Sequence, residues 1–74
     1  MKEFKTTEIG KNAGRIWREL EKRTTRISIQ ELCHNLCMTF EESSLSIGWL
    51  AKEKNILIQK EDGRLMLSKI QSNF

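Results

Sequence analysis

At 74 residues, 31% of them charged and with a net charge of +3, the chain has room for one small soluble domain. A domain of this size buries only about 60% of its unfolded surface, which excludes a separate substrate domain and a deep catalytic cleft. No apolar run approaches the roughly 18 residues of a membrane-spanning helix, and no apolar stretch follows Met1-Lys2-Glu3-Phe4-Lys5 as a secretory signal requires, so the expected location is the cytoplasm and no membrane partner is expected.

The chain has no proline, no repeat and no low-complexity stretch, so residues 1–74 read as a single domain with its packed part at 7–69. Phe4, Ile70 and Phe74, near the two ends, are candidates for packing back on the body. The first helix is predicted from Thr7 to Arg23. Ile9, Ala13, Ile16, Trp17 and Leu20 recur at i, i+4, i+7, i+8 and i+11, which is one helical face. Gly10 and Gly14 lie beside that face. A glycine inside a helix costs roughly 1 kcal/mol relative to alanine, so a close neighbour is expected there, either from the same chain or from a second protomer. Lys11, Arg15, Arg18 and Lys22 repeat at i, i+4, i+7 and i+11 on the opposite side. This basic stripe is either a solvated face or a contact for phosphates or an acidic partner. The positive charge concentrates here: residues 1–26 carry a net +4, residues 27–55 a net −2 and residues 56–74 a net +1.

Thr24-Thr25-Arg26-Ile27-Ser28 leaves the helix and is predicted to hold a short strand. Ser28-Ile29-Gln30-Glu31 then reads as a capping box, in which a hydroxyl takes an orphan amide and a glutamate reaches back to the cap's own amide. The second helix carries Ile29, Leu32, Cys33 and Leu36 at core spacing. Cys33, His34 and Cys37 supply three metal-ligand types where a structural zinc site wants four, and His34 points away from the cysteine face. The expectation is therefore no metal: Cys33 acts as a small apolar residue and Cys37 sits near the turn, with no disulfide between them. Thr39-Phe40-Glu41-Glu42 is a second capping box, opening a third helix that should end near Asn55. Phe40, Ile47, Leu50 and Ala51 are assigned to its core side. Leu45 and Trp49 point nearly the opposite way, with Gly48 beside them, either to pack under the wing or the tail or to form an exposed apolar patch.

Glu61-Asp62-Gly63-Arg64 lies between two apolar alternating runs, and Asp-Gly is the strongest short hairpin signal. A two-residue loop sets Glu61 opposite Arg64, Lys60 opposite Leu65, Gln59 opposite Met66 and Ile58 opposite Leu67. Ile56, Ile58, Leu65 and Leu67 should meet the core, with Leu57 and Met66 on the other face. Glu61 and Arg64 should form an opposite-charge pair worth a few tenths of a kcal/mol. The fold class is thus α+β: three helices, a short strand and a C-terminal β-hairpin wing, the order of a winged helix-turn-helix.

Two segments, Glu8-Ile9-Gly10-Lys11-Asn12-Ala13-Gly14-Arg15-Ile16-Trp17 and Ile47-Gly48-Trp49-Leu50-Ala51-Lys52-Glu53, resemble the signatures of a small family of bacterial winged helix-turn-helix domains, single-domain proteins of about this length. The resemblance spans Glu8 to Leu67. It implies the fold and, by analogy, a DNA-binding, transcription-regulatory role, and it brings no catalytic residues.

Two functions follow from the residues themselves. In DNA binding, Ser43, Ser44, Ser46 and Lys52 on the third helix would face double-stranded DNA, Lys60 and Arg64 would contact it from the wing, and Lys11, Arg15, Arg18 and Lys22 would add phosphate contacts. In protein interaction, Leu45, Gly48, Trp49, Leu57 and Met66 would form an apolar patch for a homodimer or another partner. An enzyme is not expected. His34 lacks an acid or nucleophile partner at a meaningful spacing, no phosphate loop is present, and neither a cofactor nor a small-molecule substrate is indicated.

Overall fold

A computed structural model describes residues 3–53 and 56–70. The described elements run α1 (Thr6–Lys22), β1 (Ile27–Ser28), α2 (Ile29–Leu36), α3 (Phe40–Glu53), β2 (Ile56–Glu61) and β3 (Arg64–Lys69). Each helix start and stop has a local cause. Ser28 ends β1 and caps α2, its Oγ accepting from the Glu31 amide at 3.1 Å, while Glu31 returns no bond to Ser28. The α3 start is the full reciprocal box: the Glu42 amide donates to Thr39 Oγ1 at 3.1 Å and the Thr39 amide to Glu42 Oε1 at 2.9 Å. The predicted helix end at Asn55 lies outside the described residues, as does Phe74.

Helix α2 stops because Cys37 turns left-handed, at φ 54. The Met38 amide bonds to the Cys33 carbonyl at 3.0 Å and the Cys37 amide to the His34 carbonyl at 3.3 Å, the paired closure of a Schellman motif. Glycine takes this backbone with no Cβ penalty. The Cys37 side chain is exposed, so little packing would be lost on replacing it. Cys37→Gly is expected to leave the fold intact and to stabilise it by up to about 1 kcal/mol, the relieved left-handed strain exceeding the extra chain entropy of glycine. A thermal melt checks this, and a lower Tm would contradict it.

The sheet is antiparallel with strand order β1-β3-β2. The hairpin register is the expected one, with Glu61 opposite Arg64 and Ile58 opposite Leu67. Asp62 at φ 51 and Gly63 at φ 77 give the two positive dihedrals of a type I′ turn. Ile27 pairs with Leu67 on the other side, which puts β3 in the middle. The core is Ala13, Ile16 and Leu20 of α1, Ile27, Ile29 and Leu32, Met38, Ile47 and Leu50 of α3, and Leu67, with Trp17, Cys33, Leu36 and Ile56 packed against it.

Two core assignments need correction. Ile58 and Leu65 do point to the Leu67 side but remain 43% and 39% exposed. β2 is an edge strand and Leu65 sits near the wing tip, so both lie beyond the cover of the helices. On α3 the buried stripe is Ser43, Ser46, Ile47 and Leu50, while Phe40 is 59% exposed and Ala51 is also exposed. The helix is rotated so that two serines replace those residues inside. The serines are satisfied locally. Ser46 Oγ donates to the Glu42 carbonyl at 2.7 Å, and Ser43 Oγ bonds Met38 Sδ at 3.6 Å while accepting from Cys33 Sγ at 3.1 Å.

Candidate interaction surface

With its buried stripe fixed, the outward side of α3 follows from the 100° turn per residue. Glu41, Leu45, Gly48 and Lys52, at i, i+4, i+7 and i+11, form one ridge opposite the core, and Trp49 stands on its flank. All five are exposed; Leu45 is 42% and Trp49 36% accessible. Trp49 leans toward α1, where a Cβ added at Gly10 would come within 4.0 Å of its ring. One of the two α1 glycines thus has a neighbour in the same chain. Among the described residues, a Cβ at Gly14 would have only the flexible end of Arg18 near it, at 3.8 Å, and one at Gly48 nothing within 4 Å.

The expected DNA contacts are dispersed or removed. Ser43 and Ser46 are both 0% exposed and bonded inward, so neither belongs to a contact surface; only Ser44 of the three serines is exposed. Arg15 bridges helices: its guanidinium donates to the last carbonyl of α2, at Leu36, at 2.5 Å, and to Asn12 at 3.5 Å. It acts as a side-chain cap on orphan carbonyls. Lys22 lies 3.9 Å from Glu19. Lys11, Arg18, Lys52, Lys60 and Arg64 are exposed, with no ion pair among the described residues. Among the interface candidates, Leu57 is 42% exposed and Met66 half-buried. Both lie on the sheet face turned away from Leu67, not on the α3 ridge.

Glu61 does not pair with Arg64. Its carboxylate meets the Arg26 guanidinium at 2.6 Å, and Arg26 also reaches Gln59 at 3.4 Å, tying the approach to β1 to the far strand β2. Sequence spacing gave no sign of this contact across 35 residues. It also gave no sign of a shallow cleft lined by Arg23, Thr24, Thr25, Arg26, Ser68 and Lys69. Every cation there already has a partner in the chain: Glu19 holds Arg23 at 3.1 Å, Glu61 holds Arg26, and Lys69 donates to the Glu21 carbonyl at 2.8 Å. The cleft therefore reads as structure. Cys33, His34 and Cys37 do not converge: Cys33 bonds Ser43, while His34 and Cys37 are exposed.

Among the described residues no helix is long and apolar enough to cross a membrane. A family model described as a winged helix-turn-helix domain (DUF2582) matches residues 1–69. The chain is similar to the solution NMR structure of protein BT2368 from Bacteroides thetaiotaomicron, at 32% identity and a TM-score of 0.74, over 85% of this chain and 76% of that one. No curated protein matches.

Proposed function

The chain belongs to the DUF2582 family of winged helix-turn-helix domains, and from that premise we propose that it is a protein-contact module using the outward face of α3. One observation carries this reading: the position that reads bases in a helix-turn-helix presents Glu41, Leu45, Gly48 and Trp49, while two of its three serines are core. A base-reading helix contacts base edges with its N-terminal residues and needs cations against the phosphates. Here the exposed residues of the first turn are Phe40 and Glu41, and the cation on the ridge, Lys52, is at the far end. An exposed indole and a leucine beside an open glycine are the parts of a protein contact instead.

DNA binding is the second reading. The fold commonly binds DNA, and the exposed Lys11, Arg18, Lys52, Lys60 and Arg64 favour phosphate contact. Such binding would be salt-sensitive and without sequence choice. Anisotropy of a labelled random duplex, at about 20 mM and about 200 mM salt, separates the two. The expected result is no binding at the higher salt, and stronger low-salt binding once Glu41 and Glu42 are changed to Gln. Binding that persists at the higher salt and disappears in Lys52→Glu would overturn the protein-contact reading.

A further inference from the structure

Resting on that reading, we infer that the partner of the α3 ridge is a second copy of the same chain, docked antiparallel across a two-fold axis. The ridge is complementary to its own reverse. Read forward it is Glu41, Leu45, Gly48, Lys52; turned end for end on a second copy it is Lys52, Gly48, Leu45, Glu41. The same axis therefore sets Glu41 against Lys52 of the second copy, Leu45 against Gly48 of the second copy, and repeats both contacts in the other direction. A two-fold interface uses the same patch on both subunits, so this palindrome is what such an interface requires.

Each part is available. Glu41 and Lys52 are exposed and have no hydrogen-bond or ion-pair partner among the described residues. Leu45 is 42% exposed, and a Cβ at Gly48 would meet nothing within 4 Å. The helix dipole accounts for a glutamate at the start of α3 and a lysine at its end. It does not account for Gly48, which weakens the helix by roughly 1 kcal/mol and has no close neighbour among the described residues. A leucine entering from a facing helix gives that glycine a purpose, because the missing side chain lets the two backbones approach. Trp49, on the flank, closes the margin of the contact.

One ridge and one indole per subunit make a small interface, so the expected dissociation constant is on the order of 10 µM. Sedimentation equilibrium on the full chain over a range of concentrations tests it. Glu41→Lys and Lys52→Glu should each weaken association at least about tenfold, since each places two like-charge pairs across the axis. The doubly exchanged chain, Glu41→Lys with Lys52→Glu, should recover it to within about threefold. Gly48→Ala should raise Tm while weakening association, a split that a purely structural role would not produce.

A wild-type chain that stays monomeric to about 1 mM overturns the inference. So does a dimer that none of these substitutions moves, since it would use another face. If the chain is monomeric, Trp49 indole shifts on adding random duplex would remove the protein-contact reading as well. Their absence would remove only the second copy as the partner.

Discussion

Leu67→Ala is expected to destabilise the domain by about 3 kcal/mol, whereas Leu65→Ala, two residues earlier on the same strand face, should cost under about 1 kcal/mol. The two leucines differ in cover, not chemistry. Leu67 is 1% exposed in the middle strand, opposite both Ile27 and Ile58 and in the same cluster as Ile16, Leu20 and Leu32. Truncating it removes buried methyl groups and leaves a cavity that three packed helices cannot easily close. Leu65 is 39% exposed opposite Lys60, so solvent already reaches the space it would vacate. A domain of this length has only about 4 to 11 kcal/mol of total stability, so the first substitution takes a large share of it. Denaturant unfolding checks both, with a fall in midpoint at unchanged slope for Leu67→Ala. Equal losses at the two sites would show that the sheet face is covered to the wing tip.

What could be read from the chain alone was what local chemistry decides. The hairpin register followed from Asp62-Gly63, because a two-residue loop with two positive dihedrals leaves no freedom in pairing. The starts of α2 and α3 followed from Ser28 and Thr39, whose hydroxyls meet amides three residues on. The α1 core face was clear because its apolar residues repeat with little interruption, and observed and expected helices differ by one residue at each end. What could not be read depends on partners distant in sequence. Arg26 and not Arg64 takes Glu61, and the edge position of β2 leaves Ile58 in solvent. The candidate site was only partly legible for the same reason. Leu45, Gly48 and Trp49 stood out as an apolar group off the main stripe, but the outward ridge that includes Glu41 and Lys52 depends on the rotation of α3. That rotation buries Ser43 and Ser46, which as hydroxyl residues were expected to face DNA although they share the helical face of Ile47 and Leu50.

The sharpest check on that rotation is a charge placed at each serine. Ser43→Asp is expected to destabilise the domain by at least about 3 kcal/mol at neutral pH, and Ser46→Asp similarly, while Ser44→Asp should stay within about 0.5 kcal/mol. Ser43 and Ser46 are 0% exposed, among Met38, Cys33 and the α3 backbone, with no cation hydrogen-bonded to either among the described residues. A carboxylate there would be desolvated and unpaired, so its folded-state pKa must rise above that of the unfolded chain, about 3.9. The sign of the pH dependence follows. Well below pH 4 the new group is neutral in both states and the penalty shrinks to that of a buried, partly satisfied carboxyl. As pH climbs above the unfolded value, the unfolded chain ionises and is favoured by about 1.4 kcal/mol per pH unit, until the folded pKa is reached. Denaturant midpoints for the three variants at pH 4 and pH 7, about the unfolded pKa and well above it, separate the cases. If Ser43→Asp is as harmless as Ser44→Asp at pH 7, the serines face outward, Phe40 and Ala51 return to the core, and the ridge on which the contact depends does not exist.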